Sequence, residues 1–289
     1  MKPSLLNLLF SFLAFSIAYG IAILTGLELI QEAILIAFII QWVAFVPAFI
    51  FQTEKFYDLT GSITYLSVVS YVFFQSNKTI DMNLGSILLA SFIIFWAIRL
   101  GSFLFLRIHK AGEDKRFKYI KPSPTRFFMT WTLQGMWVSL CSMCALTAMA
   151  SKNGVVLNAL FFVGVFVFLT GLIIEIIADT QKSNFRANPE NKDQFIRHGL
   201  WSYSRHPNYF GEITLWLGVS VMSISSLSSW QYLTLISPIF TYLLLVYVSG
   251  VRLLEIAGLE KWGHLESYQE YLRTTPSLFP FSNLSNKGS

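Results

Sequence analysis

The chain alternates long apolar runs with short polar joints, and no strand-like two-residue alternation is sustained anywhere. Apolar runs fall at Leu5–Leu24, Ile30–Phe51, Ser62–Phe74, Leu84–Leu106, Phe127–Ala150, Val155–Ala178, Phe210–Ser226 and Tyr232–Val251. A helix crossing the hydrocarbon layer needs about 20 largely apolar residues. The pattern therefore predicts an all-α, polytopic transmembrane helix bundle of about eight spans, in a single integral membrane domain covering 1–289. The third and seventh runs are short, so seven spans is the competing count. The first run is longer than the usual apolar core of a signal peptide and is expected to stay as a span. Beyond the last run, residues 254–273 read as an amphipathic helix offering Leu254, Trp262, Leu265 and Tyr268 to an interface, followed by a Pro-stopped end.

Composition agrees with this pattern. Of 289 residues 54% are hydrophobic and only 13% charged, and the mean hydropathy is +0.55. A soluble domain carries about 25% charged residues. The net charge of +5 does not point to nucleic acid, because the basic residues sit in the joints. Lys2, Lys55, the group from Arg107 to Arg126, the group from Lys182 to Arg205, and Arg252, Lys261, Arg273 and Lys287 all fall on one side of an eight-span path. They total eighteen, against Lys78 and Lys152 on the other. The positive-inside rule then puts both termini in the cytoplasm, with a bacterial inner membrane as the expected location. Cys141 and Cys144 form a CxxC pair inside an apolar run, with no second pair or nearby His. They read as small buried thiols, and no metal site is expected. Gln134 reads as an interhelical hydrogen bond. Thr60 or Ser62 is a possible helix cap, unless that joint instead carries Asp58 to a cavity.

Ionisable residues at membrane depth are costly and are functional candidates by default. Arg99 lies in the fourth run. Glu175 and Asp179 close the sixth, four apart and so on one helix face. Lys182 and Arg186 follow. The chain then returns as Gly-Leu-Trp-Ser-Tyr-Ser-Arg-His-Pro-Asn-Tyr-Phe-Gly-Glu, bringing Arg205, His206, Asn208, Tyr209 and Glu212. Pro207 fixes the backbone ahead of a helix, so Asn208 and Glu212 share a face. Carboxylates and an amide beside cations suit a ligand with ribose hydroxyls, an amide and phosphates. There is no G-x-G-x-x-G, hence no Rossmann fingerprint.

The Arg-His-Pro-Asn-Tyr-Phe-Gly-Glu block, the preceding Gly-Leu-Trp-Ser-Tyr, the Glu175–Arg186 block and the ending from Leu254 to Pro280 resemble the C-terminal half of the steroid 5-alpha-reductase family. Shorter Arg-His-Pro words also occur in sterol reductases and in isoprenylcysteine and phospholipid methyltransferases. The resemblance implies a monomeric helix bundle holding NADPH in a cytoplasm-facing cavity and reducing a lipophilic enone within the membrane. Carried over by position, Arg99, Asp179, Arg186, Asn208 and Glu212 line the cofactor site, with Glu175, Lys182, Arg205, His206, Tyr209 and His264 beside them. Trp96 stands where the steroid enzymes have a proton-donating Tyr, and Glu54, Tyr57 and Asp58 are the nearest polar candidates for that catalytic work. Arg116 is a further candidate for a cofactor phosphate. The alternatives are an S-adenosylmethionine-dependent membrane methyltransferase and a non-enzymatic transporter, although the inverted repeats of many transporters are not evident.

Overall fold

The computed structural model describes residues 3–78 and 83–280. Lys2 and Lys287, which entered the charge count, lie outside these residues. Among the described residues all regular structure is helical. The main helices are α1 (Pro3–Leu24), α2 (Glu28–Ile50), α3 (Tyr57–Ser76), α4 (Leu84–Ala111), α5 (Pro124–Met149), α6 (Ala159–Ala187), α7 (Pro207–Ser223), α8 (Ser237–Leu243), α9 (Val251–Trp262) and α10 (Glu266–Thr274).

Local chemistry sets several of the boundaries. The Asn83 side chain accepts from the Ser86 amide at 2.8 Å and starts α4. Gly112, at φ 81°, stops it. Ser123 caps α5, and Pro124 occupies the first turn, where the missing N–H costs nothing. Neither Thr60 nor Ser62 caps α3: the helix begins at Tyr57, and the Thr60 hydroxyl instead donates to the Phe56 carbonyl at 2.8 Å.

Among the described residues, six helical segments are long and apolar enough to cross a membrane: α1, α2, α4, α5, α6 and the stretch Ser229–Trp262. The two short runs of the sequence fall outside that set. α7 has 17 residues, and α3 dilutes its apolar residues with Thr60, Ser62, Thr64, Ser67 and Ser70. The stretch Ser229–Trp262 is also not one regular helix. A 3₁₀ segment (Ser229–Ile236) leads into α8, a π-helical segment (Leu244–Val248) follows, and Gly250 breaks the chain before α9. The Ser249 amide reaching back to the Leu244 carbonyl at 2.9 Å marks the wide turn. The amphipathic helix expected over 254–273 is two helices, α9 and α10, and its face differs from expectation. Tyr268 is buried against Phe195 rather than offered to an interface, with ring centroids 4.9 Å apart.

The chain divides into two compact units, residues 1–162 with 220–237, and residues 163–219 with 238–289. In the first unit α5 is the central helix, packed by α1, α2 and α3. Interhelical hydrogen bonds run from Gln41 to Thr64 (2.8 Å) and from Trp42 to Thr132 (3.1 Å). The buried Gln134 side chain has no hydrogen-bond partner for its oxygen among the described residues. Cys141 and Cys144 are buried, and neither is part of a disulfide. In the second unit α6 and α7 meet backbone to backbone. A Cβ on Gly211 would lie 2.7 Å from the Glu175 amide nitrogen, and one on Gly171 would lie 2.5 Å from the Leu215 nitrogen. Small residues at such crossings let helices approach closely in lipid.

Candidate functional site

The close approach of α6 and α7 gathers four of the sequence candidates. Glu175 and Asp179 stand one turn apart on α6, Asn208 and Glu212 one turn apart on α7, and the three carboxylate residues are buried. The Asn208 amide donates to Asp179 Oδ1 at 3.3 Å, tying the two helices at the polar end of the crossing. Burial of charge at this density requires paired or hydrogen-bonded partners.

The segment joining the two helices is pinned to α6. The Trp201 indole donates to the Ala178 carbonyl at 3.1 Å, and the Leu200 amide donates to Gln181 Oε1 at 2.9 Å. Gly199, at φ 62°, lets the backbone press on Gln181 where a side chain would not fit. The Lys182 ammonium sits 4.4 Å from the centre of the Trp201 ring. Arg186 is exposed at the last turn of α6.

Arg205 is held from several directions. Its Nε and Nη2 donate to Glu255 Oε1 at 3.1 and 2.6 Å, and Nη1 donates to the carbonyls of Leu272 (2.7 Å) and Thr275 (3.0 Å). Its backbone amide donates to the Pro276 carbonyl at 2.9 Å. The neighbouring Ser204 hydroxyl donates to the Leu278 carbonyl at 2.8 Å, and Ser277 donates to Glu255 at 2.8 Å. Residues 272–278 thus close around 204–206 as a clasp.

His206 lies inside the clasp at 5% exposure. Its ring stacks on Tyr209, with centroids 5.8 Å apart and 10° between planes. Nε2 stands 3.5 Å from Glu255 Oε1, within ion-pair distance, and Nδ1 has no hydrogen-bond partner among the described residues. Burial holds the imidazole below its ordinary value. Glu255 opposes the shift, while Lys182 and Arg205 add to it. Tyr209 packs on Gly250, where a Cβ would lie 2.8 Å from the phenol ring. The break after the π segment is therefore where this ring finds room. His264 is exposed in the turn between α9 and α10.

In the first unit, Glu54, Tyr57 and Asp58 are drawn into a network with the α4–α5 joint. Buried Glu54 pairs with Lys121 and accepts from the Asp114 amide at 2.8 Å. Burial would raise the Asp114 carboxyl, but hydrogen bonds from Arg116 outweigh it and hold the group below its ordinary range. Arg116, weighed as a phosphate contact, bonds Asp114 through Nε at 2.9–3.0 Å. The Tyr57 hydroxyl donates to the Thr130 carbonyl at 3.0 Å. Asp58 stands 3.9 Å from Arg107. Deeper in the same unit, half-buried Arg99 lies 5.5 Å from the Phe103 ring, and Trp96 packs edge-on with Tyr65 at 5.2 Å. Sequence reasoning passed over Tyr65 and the tail carbonyls, because only their long-range partners give them a part in these networks.

A family model described as "Protein of unknown function (DUF1295)" matches residues 44–275, well over half of the chain. Similar curated proteins include a 3-oxo-5-alpha-steroid 4-dehydrogenase 1 of Mus musculus, 29% identical over 121 residues, covering 42% of each chain. A Probable O-methyltransferase ustE of Ustilaginoidea virens is 32% identical over 101 residues, covering 30% of this chain and 35% of that one. A Delta(14)-sterol reductase of Arabidopsis thaliana is 32% identical over 158 residues, covering 51% of this chain and 37% of that one. In each case the match spans less than half of the relative's length. No solved structure gives a significant match. The chain thus belongs to the DUF1295 family, carries several helices long and apolar enough to cross a membrane, and is similar over part of its length to steroid 5-alpha-reductases.

Proposed function

We propose that the chain is a membrane-embedded reductase that uses NADPH to reduce a lipophilic, enone-type substrate. The observation that carries this reading is His206: a buried imidazole whose Nδ1 has no hydrogen-bond partner among the described residues, two positions from Asn208 and its bond to Asp179. A buried polar side chain without a partner calls for an explanation, and a bound ligand supplies one. The donor set fits a nicotinamide dinucleotide. Glu175, Asp179 and Glu212 accept from ribose hydroxyls and a carboxamide, Asn208 both donates and accepts, and Arg186 and Lys182 stand at the polar end of α6 for the phosphates. When bound, the cofactor supplies the hydride for an electron-poor carbon.

The chain's own residues bind and orient. Arg205, with its donors bonded to Glu255 and the tail, positions His206 and Asn208 rather than contacting phosphate.

The match to an O-methyltransferase favours a second reading, S-adenosylmethionine in the same pocket. Thermal unfolding of the purified protein with NADPH, with S-adenosylmethionine and with neither separates the two. Stabilisation by NADPH alone supports the reductase. Stabilisation by S-adenosylmethionine alone overturns it.

A further inference from the structure

A second cavity, of about 430 Å³, lies beside the clasp in the second unit. That volume is within the range of small-molecule sites, about 300–1,000 Å³. One wall is Ile174 of α6 with Leu200 and Tyr203; Pro207 and Phe210 of α7 form another; Phe279 and Pro280 of the tail close the third. Phe279 is fixed edge-on to Phe210 at 6.1 Å and stacked on Tyr242 at 6.1 Å. Ser204 is the one small polar residue in the lining, and its hydroxyl already donates to the Leu278 carbonyl at 2.8 Å. The walls thus have little with which to recognise a polar ligand.

The surroundings identify the occupant. Phe166, Leu169, Ile173 and Ile177 follow one face of α6 at steps of three and four residues, and each is at least 40% exposed. In a membrane-spanning helix such a stripe is covered by lipid. Ile177 lies one turn beyond Ile174, so the cavity borders this stripe. It also sits where the apolar part of α6 gives way to Asp179 and Lys182, the level at which Trp and Tyr gather at a membrane boundary. Trp201 and Tyr203 are there.

We propose that this cavity binds an acyl chain of a bilayer phospholipid, drawn in from the lipid-covered face of α6. The site is separate from the carboxylate site and does not depend on the reductase reading. Its walls are carried by both partners of the clasp, 204–210 on one side and 278–280 on the other, so an acyl chain seated there holds the clasp shut.

The test is photolabelling in vesicles of a phosphatidylcholine bearing a diazirine near the end of one acyl chain, with the labelled peptides mapped by mass spectrometry. Label is expected on Ile174, Phe210 and Phe279 in addition to the exposed stripe. Ile174→Trp, which fills the cavity from α6, and Pro280→Trp, which fills it from the tail, should each reduce label on the other cavity residues at least fivefold. Label at Phe166 should not change. Two variants on different walls keep the test decisive if one fails to fold, as judged by thermal unfolding. Label confined to the stripe, or unaffected by a folded cavity-filling variant, overturns the proposal. So does label that enters the cavity only after residues 281–289 are removed, because the chain itself is then the occupant.

Discussion

His206 illustrates how a single side chain couples stability to pH. Its folded value lies below the ordinary 6.5, chiefly because of burial. The unfolded chain therefore takes up a proton first as pH falls, and stability drops from about pH 6.5 downward, by at most about 1.4 kcal/mol per pH unit. Thermal midpoints measured from pH 7.5 to 5.5 should decline in the wild type and decline less in His206→Phe. An equal slope in both would assign the pH dependence to other groups. Two arginines provide a sharper contrast. Arg205→Ala removes donors to Glu255 and the tail, and at about 1.5–3 kcal/mol per hydrogen bond to a charged group it should lower the thermal midpoint markedly. Arg186→Ala, at an exposed position, should leave the midpoint alone and weaken NADPH about tenfold or more relative to NADH, since Arg pairs bidentately with phosphate. Titration calorimetry with both nucleotides measures this; equal affinities in the wild type would leave Arg186 with no part in choosing the nucleotide. Sequence reasoning found these residues but could not divide their work. The five-residue spacing of the π turn, the Leu272 and Thr275 carbonyls and the stacking of His206 on Tyr209 leave no mark in a local pattern.

At the scale of elements, most helices could be read from the sequence because lipid imposes a length. The runs beginning at Leu5, Ile30, Leu84 and Phe127 correspond to α1, α2, α4 and α5 within a few residues. What lipid does not dictate was harder to read: α3, whose Thr60, Ser62 and Thr64 are buried, and the break at Gly250. Glycine context also differs between helices. Gly20, with nothing within 4 Å of its virtual Cβ, should accept Ala with a gain of up to about 1 kcal/mol. Gly211→Leu would drive a side chain into the α6 backbone, and should abolish NADPH-dependent stabilisation and lower the thermal midpoint. A Gly211→Leu protein that still binds NADPH would show that the crossing does not shape the site. The π segment gives a test by length rather than chemistry. Deleting one residue from 244–248 turns everything after it by about 100°. Glu255 would then leave Arg205, and the deletion should lower the thermal midpoint at least as far as Arg205→Ala does.

For the whole molecule, eighteen basic residues against two predict one cytoplasmic side. Reporter fusions after Lys121 and Lys192 and at the C-terminus should all report cytoplasm, and an opposite signal from any of them would break the eight-span path. The division into two units was not visible in the sequence, because residues 220–237 belong with the first unit while the chain on both sides of them belongs with the second. The clasp carries a consequence for how the protein is made. Arg205 is bonded by residues as far downstream as Pro276. A nascent chain can insert its earlier helices while the segment around His206 still lacks the carbonyls and carboxylate that hold it. Until residues 272–278 emerge, the growing protein is a bundle with an unlocked site.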